Sequence, residues 1–435
     1  MKTSLLKFSA LLLAVLILSS RAYAQAVRTG RSVALAGSGA LGMYGVQAAG
    51  WNPANLGLKA NPSFSFSFLS FSAVFGNNAF TPKYISETFV EGDTLTRETI
   101  DDILSKMDAN RLKLYTMLGL PVFGLSTKNF AFNIDAHVFA DASIPRDVFE
   151  MAMTGPVKDT LYDLSTVEQN AIGYSTVSLS AAKSFRGIPH TTEFAAGVTF
   201  KYIIGGAYTE LVHKEGSLQI TDDKIHAQGL FKFINSKNIG DGVGLDLGAA
   251  GRLHWMDLYV GATLGNLIGS VTWGELDVGE VQFSRDDGLA LDSVSKQDYW
   301  NNFLTQTDTT YGYEGSVTKA LPRYLILSAD LPYLHGKGDL FFTYYQGFNE
   351  TPAQNTTPRL ALGSEFRWLP FLPLRAGVAV GGIEGTEVAG GFGLSLIGYQ
   401  LNVGASWQRG VLAGAQGFSI AVTNYFGPAF KRPAK

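Results

Sequence analysis

The chain has 435 residues, no cysteine and a formal net charge of −3 at pH 7. The lack of cysteine excludes disulfides, cysteine-ligated zinc and thiol chemistry, and the slightly acidic balance argues against a nucleic-acid partner, which requires a basic surface. Charged residues make up only 16% of the sequence, against about 25% in an ordinary soluble domain, so we expect something other than water to cover part of the surface.

Residues 1–24 have the organisation of a secretory signal peptide. Lys2 and Lys7 form a basic start, residues 11–18 form a short apolar run, and Ala22-Tyr23-Ala24 supplies the small residues that a signal peptidase requires. We therefore expect export and cleavage after Ala24. The apolar run is shorter than the roughly 20 residues of a membrane-spanning helix, which argues against the alternative of an N-terminal anchor.

Alternating apolar and polar residues predict strands that face lipid on one side. Between residues 130 and 141 the even positions are mostly apolar and the odd positions largely polar, and the pattern recurs at 193–202, 243–249 and 400–408. Beyond the signal peptide no stretch resembles a membrane-spanning helix, so a chain that faces lipid must pair its backbone groups between the strands of a barrel. A soluble β-sandwich also alternates and is the alternative fold.

The connections favour the barrel. We predict fourteen strands, at 62–75, 111–119, 129–142, 173–186, 192–205, 243–254, 257–265, 321–332, 338–347, 358–368, 373–382, 388–397, 399–408 and 416–426. Every second connection is short, whereas the others are mostly long, above all 76–110, 143–172, 206–242 and 266–320. Short turns on one rim and long loops on the other are typical of outer-membrane barrels, whose long loops lie outside the cell. The expected fold is all-β, a transmembrane antiparallel up-and-down barrel over residues 62–430.

The long loops are expected to contain some structure. Helical spacing of apolar residues after Thr96 predicts a short helix at 97–107, and a second is expected at 146–153. Residues 224–233 alternate enough to predict a strand extension or hairpin above the membrane. In 266–320 we expect residues 271–273 to continue a strand and the polar remainder to be a solvated loop.

Residues 25–61 are predicted to form a plug. The stretch 31–57 is too poor in large side chains to build a core and too apolar to stay solvated, but small residues let a backbone pack closely against a barrel wall. This stretch, with Ala34-Leu35-Ala36-Gly37-Ser38-Gly39 and Trp51-Asn52-Pro53-Ala54-Asn55-Leu56, resembles the N-terminal hatch of the FadL family of long-chain fatty-acid transporters and the related PorV-like outer-membrane proteins of Bacteroidetes-type bacteria.

The resemblance extends to late strands, through Leu321-Pro322-Arg323 and residues 360–366 and 374–377. It implies a barrel of fourteen strands whose lumen is closed by a hatch. The hatch or gate residues that it implies are Trp51, Asn52, Pro53 and Ala54.

Other chemical motifs are weak. Residues 37–42 match the dinucleotide pattern G-x-G-x-x-G, but no strand precedes them and no acidic residue follows about 20 positions later, so no cofactor is expected. The six histidines lack metal-ligand spacing, and no metal is expected. The pairs Asp135 with His137 and Asp246 with His254 lack a nucleophile, so a polar lumen explains them better than a catalytic site does.

Three functions remain open. The first is passive transport of a hydrophobic or amphipathic small molecule past a movable plug. The second is a PorV-like structural or docking role, in which the long loops bind a surface or secretion-system protein. A barrel enzyme is the third, although no catalytic residues are found. In each case the expected location is the outer membrane, with its lipid as a further partner.

Overall fold

The computed structural model describes residues 28–85, 96–107, 110–155, 157–221, 224–254, 257–290, 307–351 and 354–428. The predicted signal peptide therefore lies outside the described residues. Twenty antiparallel strands form one sheet: β1 (Phe64–Phe68), β2 (Phe71–Asn77), β3 (Arg111–Thr127), β4 (Phe130–Pro145), β5 (Leu161–Asp163), β6 (Glu168–Phe185), β7 (Thr191–Thr221), β8 (Lys224–Ser236), β9 (Gly240–Leu253), β10 (Tyr259–Trp273), β11 (Leu276–Ala290), β12 (Thr307–Tyr313), β13 (Val317–Ala320), β14 (Tyr324–Tyr333), β15 (Gly338–Gly347), β16 (Arg359–Leu369), β17 (Leu372–Gly381), β18 (Glu387–Leu396), β19 (Tyr399–Gln408) and β20 (Gly417–Phe426).

The sheet closes into a barrel of fourteen wall strands. β1 and β2 act as one interrupted strand, because both pair with β3 on one side and with β20 on the other. The wall then runs β3, β4, β6, β7, β9, β10 and β14 to β20. The predicted fourteen-strand barrel is confirmed, and the sandwich alternative is wrong.

Burial along the wall is inverted relative to a soluble protein. On β4, Asp135 is 7% exposed and faces inward, whereas Phe130 is 64% exposed and faces outward. On β19, Asn402 is 3% exposed, and its apolar neighbours Leu401 and Val403 lie on the other face. Polar residues inside and apolar residues outside are what a strand requires when lipid covers the outer face. The described residues include no helix long and apolar enough to cross a membrane.

The two rims differ, as the sequence predicted. One rim, which we call the turn rim, carries the short connections, such as Lys128-Asn129 and Ile397-Gly398. The other, the loop rim, carries the long ones. The predicted turn at 120–128 is wrong, because β3 continues to Thr127. The register shift between Pro121 and Phe123 is a bulge, and a bulge lets the strand continue through proline.

A second group of strands extends the sheet beyond the loop rim. β7 continues past the wall and pairs with β8, which pairs with β11, and β11 pairs with β12. The predicted extension near 224–233 is therefore confirmed as a hairpin. The prediction of a solvated loop after residue 273 is wrong for the residues of β11 and β12. These residues form strands because β11 pairs with β8 and β12 pairs with β11.

Helices pack together at the loop rim. The described helices are Gly30–Ala34, Pro82–Ile85, Arg97–Lys106 and Arg146–Thr154. The last two confirm the predicted loop helices. They share an apolar cluster in which the rings of Phe80 and Phe149 meet edge to face at 5.5 Å.

Candidate functional site

The segment before the first strand, residues 28–61, is built from short helical turns. Thr29 caps the helix Gly30–Ala34 by a capping box with Ser32. 3-10 turns follow at Ala40–Gly42, Gly45–Gly50 and Pro53–Gly57. No turn is long enough to be stable alone, so the segment depends on the surfaces that it contacts.

Inward-facing residues of the wall contact this segment from several directions. Gly30 N donates to Thr423 Oγ1 of β20 at 3.2 Å, Asn133 Nδ2 of β4 donates to Val46 O at 2.9 Å, and Ser184 Oγ of β6 donates to Gly57 O at 2.5 Å. Wall strands contact the segment along its length, and most of residues 28–61 are therefore buried. We call residues 28–42 the arginine half and residues 43–61 the turn half.

Buried ion pairs join the arginine half to one side of the wall. Arg28 pairs with Glu384, which lies in the loop between β17 and β18, and Arg359 pairs with Glu384 at 3.3 Å and with Glu387. Arg359 Nη2 also donates to Ala36 O at 3.1 Å. Glu384 is completely buried, so both arginines are needed to compensate its charge.

A second network lies deeper in the barrel. Arg31 Nε is 3.0 Å from Glu365 Oε2, and Arg375 Nε of β17 is 2.7 Å from the same oxygen. Arg367 joins Glu365 to Asp339. The guanidinium of Arg31 also donates to a backbone carbonyl of the segment. The arginine half is thus held by charge-assisted contacts to β16 and to the loop between β17 and β18.

Close backbone packing holds the turn half. Asn52 Nδ2 donates to Ala249 O of β9 at 3.1 Å, and Asn52 Oδ1 accepts from Ala54 N at 3.0 Å. At Gly197 of β7 an added Cβ would lie 2.5 Å from the carbonyl carbon of Pro53, so only glycine fits there. Three of the predicted gate residues therefore lie together against β7 and β9.

Trp51, the fourth predicted gate residue, lies between two small cavities. Its indole packs with Met43 of the segment and with Tyr324 and Ile326 of β14. A loop-side cavity of about 40 Å³ is lined by Trp51, Tyr345, Ile326 and Arg359. A turn-side cavity of about 40 Å³ is lined by Trp51, Gln47, Ser67, Asn133, Asp135 and Thr423. Each has room for only one or two water molecules.

The interior on the loop side of the segment contains a cluster of buried apolar side chains. Its members lie on β2, β3, β4, β6, β7 and β10, on β8 and β11 beyond the rim, and just after β13: Val74, Tyr115, Met117, Phe139, Ala140, Ile172, Tyr174, Ile203, Tyr208, Ile234, Val271, Trp273, Leu276, Val278 and Leu321. The rings of Tyr208 and Trp273 stack at 5.0 Å. We call this set the apolar chamber. A hydrophobic molecule that enters among these side chains would gain favourable contacts, whereas a sugar or an ion would not.

Among the described residues, neither of the two Asp–His pairs considered in the sequence forms a catalytic arrangement. Asp135 and His137 share the inward face of β4, and His137 stacks on Phe139 at 5.8 Å. Asp246 pairs with Lys201 at 2.7 Å rather than with His254, whose ring stacks on His190 at 6.0 Å on the turn rim.

Sequence reasoning missed the buried charges of the two networks. The available signal was charged residues at inward positions of alternating strands, such as Arg359 and Glu365 on β16.

Similarity to known proteins agrees with this architecture. The model of a family described as "Family of unknown function (DUF5723)" matches residues 53–405. No curated protein matches the sequence. The crystal structure of the Ralstonia pickettii toluene transporter TbuX is similar with a TM-score of 0.52 and 12% identity, covering 92% of this chain and 98% of that chain.

A Pseudomonas aeruginosa FadL homologue is similar with a TM-score of 0.49 and 12% identity, covering 93% of this chain and 99% of that chain. At such low identity the likeness shows the fold alone. The fold shared with the toluene transporter is a closed antiparallel barrel, which agrees with the fold that the sequence resemblance implied.

Proposed function

We propose that this chain allows passive passage of hydrophobic small molecules across the outer membrane. The chain belongs to the family of unknown function DUF5723. The observation that carries the proposal is the apolar chamber, because a channel for polar solutes would present polar side chains at these inward positions. The toluene transporter of similar fold supports small hydrocarbons as a substrate class. We assign no catalytic role to any residue.

Residues 25–61 act as the plug in this proposal, with Trp51, Asn52, Pro53 and Ala54 as its gate. A molecule enters from the extracellular loop rim, exchanges its hydration for contacts with the apolar chamber, and meets Trp51 between the two cavities. Passage requires that the turn half shift, because each cavity is too small for a hydrocarbon. The arginine half stays anchored by its buried ion pairs during this motion.

Uptake into liposomes that contain the refolded protein tests this function. We expect a monoaromatic hydrocarbon or a medium-chain fatty acid to enter faster than through protein-free liposomes, and a disaccharide of similar mass to show no difference. Deletion of residues 25–57 should raise permeability while the barrel keeps its heat-modifiable gel mobility. Equal rates for hydrocarbon and disaccharide, or an unchanged permeability after the deletion, would contradict the proposal.

Docking of a surface or secretion-system protein is the second candidate. It is favoured by β12, whose Tyr311 and Tyr313 are about two-fifths exposed and which pairs only with β11 among the described residues. A photo-crosslinker at residue 311 would test it in cells. If the protein docks a partner, one stoichiometric cross-linked adduct should form, and its loss should stop surface assembly. If the protein only transports, no such adduct should form, and hydrocarbon uptake should stay intact.

A further inference from the structure

The turn-side cavity gathers oxygen acceptors that lack donors. Asn133 is 8% exposed, and its Nδ2 donates to Val46 O at 2.9 Å, which fixes the amide orientation and leaves Oδ1 without a partner. Gln47 lines the same cavity, and its buried Oε1 also lacks a donor. A buried amide oxygen without a donor costs roughly 1–3 kcal/mol, so two in one small cavity indicate an occupant that supplies positive charge or protons.

Asp135 adds a carboxylate to this cavity. It is 7% exposed and makes no hydrogen bond or ion pair with any described residue. Lys201 exerts an electrostatic attraction on Asp135, but its ammonium pairs with Asp246 Oδ2 at 2.7 Å and donates to Asn266 Oδ1 at 2.9 Å. A buried carboxyl without a partner either keeps a proton or binds a cation, and a cation would also satisfy both amide oxygens.

We propose that the turn-side cavity binds one hard metal cation, held by the Asp135 carboxylate, Asn133 Oδ1 and Gln47 Oε1. Carboxylate and amide oxygens are the ligands that calcium prefers, with water completing the coordination shell. The same oxygen set suits sodium, since only one carboxylate contributes. A cavity of about 40 Å³ accommodates a single ion with one or two waters.

The proposed ligands come from both the turn half and the barrel wall, so a bound cation would join the two. Gln47 belongs to the 3-10 turn Gly45–Gly50, whereas Asn133 and Asp135 belong to β4. A cation shared between them ties the turn half to the wall next to Trp51. The metal binding itself does not depend on the proposed transport function and is tested without any uptake measurement.

Terbium luminescence provides the test, because Tb³⁺ replaces calcium and is excited by a nearby tryptophan. The full chain is refolded in detergent with Tb³⁺ present, so that the cavity can fill during folding. We expect saturable emission at one ion per chain that calcium displaces, and at least a tenfold loss of affinity in Asp135→Asn. Asp141→Asn is the matched control, because Asp141 faces inward on the same strand but does not line the cavity; it should bind like the parent.

Further variants separate this cavity from other sites. Trp51→Phe should lower the sensitised emission, since Trp51 lines the cavity. Asn133→Ala, which keeps the carboxylate, should weaken binding if Asp135→Asn fails to fold. Displacement by millimolar sodium instead of calcium would assign the site to a monovalent ion. Absence of saturable emission, or equal affinity in the parent and Asp135→Asn, would overturn the proposal and leave a cavity that holds water only.

Discussion

The arginine half and the turn half of the N-terminal segment are held to the same barrel by different interactions, buried ion pairs in one and close backbone packing in the other. Arg28 and Arg31 reach fully buried carboxylates on β16 and the loop before β18, where removal of one partner leaves an uncompensated charge. The turn half instead relies on glycines such as Gly197 that admit its backbone, with few charge-assisted bonds. In the proposed function, this difference makes the arginine half the anchored part and the turn half the movable part.

The largest effect is expected at the anchor. Arg359→Ala would leave Glu384 and Glu387 buried with one cation fewer, at a cost of about 3–5 kcal/mol in the free energy of unfolding. Urea unfolding in lipid vesicles, followed by heat-modifiable gel mobility, measures it. A change below about 1 kcal/mol would mean that the network is solvated and does not anchor the segment.

A smaller effect is expected in the turn half. Gly197→Val places a side chain where the backbone of Pro53 lies, so overpacking should cost about 1–3 kcal/mol. Because the turn half is displaced rather than the wall, permeability should rise while the barrel stays folded. Gly274→Val is the matched control, since an added Cβ there meets nothing within 4 Å. Similar stability and permeability in both variants would argue against tight packing of the turn half.

The smallest effect is expected outside the barrel. Arg97→Ala removes the ion pairs with Asp101 at 3.1 Å and Glu150 at 2.9 Å, but the Arg97 side chain is 63% exposed. Exposed pairs contribute roughly 0–1 kcal/mol. The same urea titration should therefore show little change. A loss as large as that of Arg359→Ala would show that ion-pair burial does not decide stability in this protein.

The wall strands were predictable because lipid on one side and a polar lumen on the other impose a strict alternation. β4 and β19 carry this pattern in residues that are adjacent in sequence. The extension of β7 was only partly predictable, since its alternation continues beyond the membrane without a break. The continuation of β3 past Pro121 was not predictable, because the bulge that accommodates this proline depends on the partner strand β4.

The candidate site was predictable only in part. The small residues around Trp51-Asn52-Pro53-Ala54 indicated close packing, and the structure brings Asn52, Pro53 and Ala54 to β7 and β9. The partners of Arg28 and Arg31 were not predictable, because Glu384 and Glu365 are more than 300 residues away in the chain. No local pattern specifies such a pairing. It follows from where the closed barrel places its inward positions.

Cross-linking each half to the wall measures directly which one moves. The protein has no native cysteine, so an introduced pair can be oxidised without competing thiols. An Ala48→Cys, Ala131→Cys bridge ties the turn half to β4, where these two alanines pack in one cluster. An Ala36→Cys, Ala379→Cys bridge ties the arginine half to β17, where these alanines pack in one cluster.

We predict that oxidation of the first pair stops hydrocarbon uptake into liposomes and that reduction restores it, whereas oxidation of the second pair leaves uptake unchanged. Uptake that is unaffected by the first bridge, or that is blocked equally by both, would contradict an anchored arginine half and a movable turn half.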